Sequence, residues 1–239
     1  MARYDLSLSV FFPSHNEVEN TQPLVEKTVA VLEPLVSDYE VIIVDDGSTD
    51  GTGALADRLA EQFPQVRAIH HDQNRGYGGA VKTGIASSTK EWIFFTDGDG
   101  QFDIREIELF LPYAGEFDAI VGYRIDRRDP FHRKVFALCW GALVRCLFGF
   151  RVRDLDCAFK LFRRRFFDGL TLHAEGAVIT VELFATMTRQ GAKIKQIGVH
   201  HYPRVAGKQS GGSPAVILRA FKELFKLYAV LKNGRSSNE

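Results

Sequence analysis

The chain has 239 residues, 45% hydrophobic and 25% charged, and its 30 basic side chains balance 30 acidic ones to a formal net charge of zero. That apolar content supports a sizeable core within the range of one α/β domain with extensions, and a balanced charge gives no ground for expecting a nucleic-acid partner. Three cysteines do not suggest a disulfide framework: Cys139 and Cys146 lie seven apart in a helical pattern, about 10 Å and too far to bridge, and a reducing, cytoplasmic setting follows.

The chain opens on polar residues followed by an apolar stretch of strand length, so no leader is expected. Strands are expected at Leu6–Phe12, Tyr39–Val44, Val66–His71, Trp92–Thr96 and Phe117–Val121, with helices at Thr21–Val36, Gly51–Phe63, Gly78–Ser87 and Asp103–Tyr113 between them. Strands alternating with helices predict a doubly wound, mostly parallel sheet with right-handed crossovers and helices on both faces. Beyond Tyr123 the pattern changes to a long apolar helix at Phe131–Phe148, a strand at Ala158–Phe162, a helix at Val178–Gln190, a strand at Lys193–His200 and a last helix at Pro214–Lys232. The longest uncharged apolar run, Val135–Val144, ends at Arg145 and is too short to cross a bilayer.

The zero net charge hides a polarity along the chain. Residues 1–122 carry 21 acidic and 8 basic groups, residues 123–165 carry 4 and 12, and residues 166–239 carry 5 and 10. An acidic first half fits a metal site, and a basic second half fits phosphate groups or an anionic membrane. Solvated faces of opposite sign would explain part of this asymmetry. They would not explain why ten of the twelve central basic residues are arginine, the better bidentate ligand for phosphate.

The most informative residues are Asp97–Gln101, DGDGQ, directly after the strand Trp92–Thr96. Two carboxylates at i and i+2 with a carboxamide at i+4 can converge on one hard divalent cation at the carboxyl edge of a sheet, where ligands of open α/β folds bind. Oxygen ligands suit Mg²⁺ or Mn²⁺ and argue against zinc. The alternative is an acidic turn that leads into the next helix with Asp103 as its N-cap. A dinucleotide-binding glycine fingerprint is missing after the first strand, which runs into Pro13-Ser14-His15-Asn16-Glu17. The glycine cluster at Gly76–Gly79 follows the third strand and is expected to let a helix pack closely on the sheet.

Four motifs in this order resemble those of family 2 glycosyltransferases: PSHNE (Pro13–Glu17), VDDGSTDGT (Val44–Thr52), NRGYGGAVKTG (Asn74–Gly84) and DGDGQ. RVRDLDCAFKLFRRR (Arg151–Arg165) is similar to a segment of the polyprenyl-phosphate glycosyltransferases such as dolichyl-phosphate mannose synthase, with Ala158 replacing the usual glycine. The resemblance implies a GT-A fold, a nucleoside-diphosphate-sugar donor, and a division into residues 1–122 for nucleotide sugar and metal, 123–212 for the acceptor, and 213–239 as a C-terminal amphipathic helix and tail. By position, Pro13, His15 and Glu17 would line the nucleoside pocket, Asp45 and Asp46 would meet base and ribose, and Gly98 would allow close approach of the nucleotide. Asp97, Asp99 and Gln101 would hold Mg²⁺ or Mn²⁺ against the diphosphate. For Asp45, capping of the helix after Gly47 is the alternative.

A phosphate monoester acceptor is already an anion near pH 7 and needs no general base, whereas a hydroxyl needs one. Arg124, directly after the fifth strand, falls where related enzymes place an arginine for the acceptor phosphate, and Arg133 is the second candidate. Arg127, Arg128 and Lys134 are expected to be surface charges facing lipid, although an ordinary ion pair is the alternative for any of these cations. Asp154 and Glu182 are candidate hidden bases, with an Asp154–arginine scaffold as the other reading. The reading is an inverting transfer to a polyprenyl phosphate at the cytoplasmic membrane face, against a hydroxyl-acceptor enzyme of the same family or a nucleotide-sugar-binding protein without turnover. The final helix carries Ile217, Phe221, Leu224, Phe225, Tyr228 and Leu231 on one stripe and Arg219, Lys222 and Lys226 on another. That pattern fits a helix in a membrane interface or one that packs its apolar stripe on the protein. His200–Arg204 and the following Gly207–Gly212 read as a mobile loop able to cover the donor.

Overall fold

The computed structural model describes residues 4–125, 131–204, 206 and 214–233, with the side chains of 131–138, 214–217 and 233 left out of the description. Seven strands form one sheet: β1 (Tyr4–Ser14), β2 (Val36–Asp45), β3 (Val66–His70), β4 (Trp92–Thr96), β5 (Ala119–Arg124), β6 (Phe159–Arg163) and β7 (Ile194–Val199). Their spatial order is β3-β2-β1-β4-β6-β5-β7. All pairings are parallel except those of β6, which runs antiparallel to both β4 and β5. The central strands read as near-continuous apolar runs because helices cover both faces. Val41–Val44, Ile93–Phe95 and Ala119–Val121 are fully buried.

Six helices accompany the sheet: α1 (Val18–Leu32), α2 (Thr52–Gln62), α3 (Gly76–Ser87), α4 (Phe131–Phe148), α5 (Ile179–Arg189) and α6 (Pro214–Asn233). The expected fold class holds, with three local corrections. The segment expected as a helix over Asp103–Tyr113 is instead two 3-10 turns, Ile104–Leu109 and Leu111–Tyr113. Pro112 lacks the N–H that an α-helix needs there and its ring crowds the preceding turn; Asp103 still caps the first turn by accepting from the Arg105 N–H. Strand β2 begins at Val36, three residues earlier than its apolar pattern suggests, because Val36 pairs with Tyr4. The glycine cluster does not make the sheet contact expected of it: that contact is made by Gly84, where a Cβ would fall 2.3 Å from the Phe11 ring on β1.

The two halves of the chain share this sheet. Strand β6 is inserted between β4 and β5, so the arginine-rich segment reaches the heart of the fold beside the strand that ends in DGDGQ. Among the described residues, no helix is long and apolar enough to cross a membrane.

Candidate active site

Adjacent strands β2, β1 and β4 deliver their carboxyl ends to one edge, and that topology alone brings together Asp45–Asp46, Pro13–Glu17 and Asp97–Asp99. The loops are stitched to one another. Asn16, in a left-handed conformation at φ 56°, donates its N–H to the Ser48 hydroxyl and accepts from the Thr49 N–H through Oδ1. The Glu17 N–H reaches the Thr52 hydroxyl, and the Val18 N–H reaches Asp50. Two backbone donors at the start of α1 are thus met by side chains of the second motif, and the Asn20 and Thr21 N–H groups turn back to the Glu17 carbonyl. The His15 Nδ1 donates to the Asp46 carbonyl at 3.0 Å.

Asp45 and Asp46 are buried and engaged. Asp45 accepts from the Ser48 N–H and lies 3.0 Å from His70 Nδ1, while His70 Nε2 contacts Asp57. Asp46 Oδ1 lies 2.6 Å from His71 Nδ1 and accepts from the Arg75 N–H, and His71 reaches Thr83 through Nε2. The hydrogen bond to Asp45 raises the pKa of His70 above its ordinary value, against the opposing effect of burial. His70 and His71 had no assigned part in the sequence reading. Their signal was two adjacent imidazoles at the end of a strand that pairs with the Asp45–Asp46 strand.

At the exit of β4 the backbone turns through Gly98, whose N–H donates to the Pro13 carbonyl. A Cβ at Gly98 would lie 2.5 Å from Ser14 Oγ and 3.0 Å from the Pro13 carbonyl oxygen, so a glycine suits the close passage of the chain past β1. Asp97 and Asp99 sit on either side. Asp97 Oδ1 is buried with no hydrogen-bond partner among the described residues. Burial, and next the charge of Asp99, push the Asp97 pKa up to about 7. A buried, unpartnered carboxylate oxygen beside a second carboxylate lacks a cation, so the donor set fits a hard divalent ion. Among the described residues there is no group of three or more His, Cys, Asp or Glu placed to hold a metal. The Gln101 amide nitrogen donates to the Tyr202 carbonyl at 2.8 Å, which engages Nε2 and leaves the ligating atom, Oε1, out of that bond.

Three further residues complete the edge without having been singled out. Tyr77 lies beside Asp97, and burial together with that charge holds its pKa well above the ordinary value. Gly78, next to it, tucks against the 174–175 backbone, where a Cβ would lie 2.5 Å from the Glu175 carbonyl carbon. The Arg204 guanidinium bridges Glu17 at 2.8 Å and Asp99 at 3.1 Å. Lys160 lies under this edge within the sheet.

Arg124, at the carboxyl end of β5, is gripped by Asp154. Nε donates to Oδ2 at 2.7 Å, Nη2 to Oδ1 at 2.8 Å, and the backbone N–H to Oδ2 at 3.2 Å. The Asp154–arginine scaffold is therefore present, and Asp154 spends both carboxylate oxygens on it. Glu182, buried on α5, accepts the backbone N–H groups of His173 and Ala174 and orders that loop. The Arg133 side chain and residues Arg127 and Arg128 lie outside the described residues, as does the side chain of Lys134 and the segment Gly207–Gly212.

A mostly parallel sheet whose neighbouring strands present acidic loops at one edge, with an antiparallel strand inserted beside them, is the GT-A glycosyltransferase fold. Glucosyl-3-phosphoglycerate synthase of Mycobacterium tuberculosis, in complex with Mn²⁺, UDP and glucosyl-3-phosphoglycerate, superposes with a TM-score of 0.74 at 18% identity, over 94% of this chain and 80% of that one. The chain belongs to glycosyl transferase family 2, whose model matches residues 9–171. It is 30% identical over 203 residues to an undecaprenyl-phosphate 4-deoxy-4-formamido-L-arabinose transferase of an Enterobacter species, covering 84% of this chain and 61% of the relative. It is 29% identical over 230 residues to a dodecaprenyl-phosphate galacturonate synthase of Rhizobium johnstonii, covering 95% and 67%. The chain spans about a third to two thirds of the length of the curated relatives it matches.

Proposed function

We propose that the chain transfers a sugar, with inversion, from a nucleoside diphosphate to a polyprenyl phosphate, using Mg²⁺ or Mn²⁺, while bound peripherally to the cytoplasmic face of a membrane. The observation that carries this reading is the Asp154-gripped Arg124 two strands from Asp97 and Asp99, on the same edge of the sheet. A fixed guanidinium beside a metal-competent carboxylate pair suits an anionic nucleophile and an anionic leaving group that must be held close despite their like charges. The names of the two relatives, which specify polyprenyl phosphates, point the same way.

In this reading Pro13, His15 and Glu17 line the nucleoside pocket, and Asp45 and Asp46 present carboxylates stiffened by their imidazole partners. Asp97 and Asp99 are the ligands for the divalent ion, with Gln101 at the rim. The ion, when bound, would neutralise charge developing on the departing diphosphate. Arg124 orients the acceptor phosphate for single displacement at the anomeric carbon, and Arg133 is proposed beside it. No base is required, in keeping with Asp154 and Glu182 being spent on Arg124 and on backbone N–H groups. Residues 1–122 then serve the donor, 123–212 the acceptor, and 213–239 the membrane.

The test is turnover with a panel of labelled uridine and guanosine diphosphate sugars, Mn²⁺ or Mg²⁺, and a short-chain polyprenyl phosphate, with the anomeric configuration of product read by NMR. An inverted lipid-phosphate glycoside is expected. Transfer to free sugars or alcohols, with none to the polyprenyl phosphate, favours the hydroxyl-acceptor reading; nucleotide binding with no transfer to any acceptor favours a binding protein.

A further inference from the structure

Strand β6 runs through the interior of the sheet, and Phe159, Leu161 and Phe162 on it are fully buried. Lys160 sits among them, 1% exposed, opposite Phe95 on β4 and Val121 on β5. Its ammonium lies 5.3 Å from the Phe95 ring centre and 5.8 Å from that of Phe184. An ammonium in such surroundings is costly to bury, and an apolar side chain of the same length would pack the sheet at less cost. Its hydrogen bonds account for its presence there. Nζ donates to the Leu155 carbonyl at 3.3 Å and to the Cys157 carbonyl. Both carbonyls belong to the tight turn that enters β6, and this turn also carries Asp154, the residue that grips Arg124.

We propose that Lys160 is a positioning residue: from inside the sheet it ties down the Asp154–Cys157 turn, and through Asp154 it fixes the direction in which Arg124 faces the acceptor. Every joint in this chain of contacts is directional. Two carbonyls converge on one ammonium, and the carboxylate and guanidinium meet fork to fork. The charged and titratable groups that act on Nζ include Asp154, Asp156 and Cys157 of the turn and Asp97 just beyond β4; they favour the ammonium, while burial lowers its pKa. The hydrogen bonds of the nucleoside-side residues, Glu17, Asp45 and Asp46, run to residues outside the turn. Losing the lysine should therefore impair the acceptor side selectively.

The inference rests on the acceptor reading above, and the experiment separates the two. Acceptor KM and kcat with short-chain polyprenyl phosphate are measured for the intact protein and for Lys160→Met, Asp154→Asn and the double variant. Affinity for the donor's nucleoside diphosphate without metal, which reads the nucleoside contacts alone, is measured calorimetrically for each. Lys160→Met should raise the acceptor KM roughly tenfold or more, with nucleotide affinity within about twofold, and should add little to Asp154→Asn because both act through one turn. A wild-type acceptor KM in Lys160→Met, an equal loss of nucleotide affinity, or full additivity with Asp154→Asn overturns the proposal and leaves the acceptor reading standing. If Lys160→Met does not fold, Lys160→Gln, whose shorter, uncharged side chain ends short of the Nζ position, is held to the same split, and wild-type acceptor kinetics in it overturn the proposal. A wild-type protein inactive toward every polyprenyl phosphate sinks both readings.

Discussion

Arg204 Nη2 lies 3.1 Å from Asp99 Oδ2, so a carboxylate proposed to hold a divalent ion already has a cationic partner from the far end of the chain. The same nitrogen contacts Glu17, which belongs to the first motif. The arginine and an incoming ion would compete for Asp99. Arg204→Met should therefore tighten Mn²⁺ binding by the nucleotide-free protein by up to about tenfold, the worth of one charge-assisted contact at a partly exposed site. Titration followed by electron paramagnetic resonance measures this directly, and unchanged or weaker Mn²⁺ binding would rule out the competition.

Asp99→Ala tests the cation site from the other side. Transfer and metal-dependent nucleotide binding should be lost, and chelation of the intact protein should reproduce the loss. Folding should change little, because among the described residues the Asp99 carboxylate accepts hydrogen bonds from Arg204 and from the nearby Gln101 N–H, both at the rim of the sheet. Wild-type turnover by Asp99→Ala in metal-depleted buffer would show that the ligands have been wrongly assigned.

Arg124→Ala should raise the acceptor KM or lower kcat while nucleotide affinity stays nearly constant. A charge-assisted contact to phosphate is worth roughly 1.5–3 kcal/mol, or about ten- to hundredfold. Some stability should also go, since removing the guanidinium leaves Asp154 buried without its bidentate partner. An equal loss of nucleotide affinity would instead place Arg124 on the donor diphosphate.

The alternation of strands and helices was legible from periodicity, and the carboxyl edge of the sheet from glycines and aspartates following apolar runs. Those are local signals. The position of β6 between β4 and β5 was not legible, because nothing in Phe159–Arg163 states which strands it will pair with. Lys160 consequently has no part assigned to it from the sequence, although a lysine flanked by AF and LF is a signal of something specific. Arg204 escaped for a related reason: it is over a hundred residues from Asp99, and the Gln101–Tyr202 and Phe102–His201 pairings bring it there. The close approach of Gly98 to Ser14 was not legible either, since the parallel register of β1 and β4 brings the two together.

The His70 bridge between Asp45 and Asp57 predicts a pH-dependent stability. Its folded pKa is raised above the ordinary 6.5, so its contribution is fully present below about pH 6.5 and is lost as pH rises through the folded value. The melting temperature of His70→Gln should fall furthest below that of the intact protein near pH 6, and the gap should narrow toward about pH 9. A gap that is constant or widens with pH would show that the imidazolium form is not what the bridge stabilises.

The last helix decides how the protein could meet a membrane. The structure divides the stripe read from the sequence. Leu224 and Leu227 are buried, and Phe221 and Tyr228 pack edge-on against Trp140 and Phe148 of α4. Leu218 and Phe225 stay exposed at 59% and 53%, with Lys222 and Lys226 exposed beside them. Truncation before Pro214 would strip buried leucines from the core, so aggregation of that variant is expected and says nothing about lipid. Substitutions on the outer face are the sharper probe. Phe225→Glu and Leu218→Glu should leave the melting temperature nearly unchanged, since exposed positions tolerate substitution to within about 0.5 kcal/mol. Both should reduce co-sedimentation with anionic vesicles. Lys222→Gln with Lys226→Gln should remove roughly 1 kcal/mol per charge and flatten the salt dependence of the remaining binding. Vesicle binding that survives all four changes would move the membrane contact away from α6, and an intact protein that never binds anionic vesicles would remove the membrane from the reading altogether.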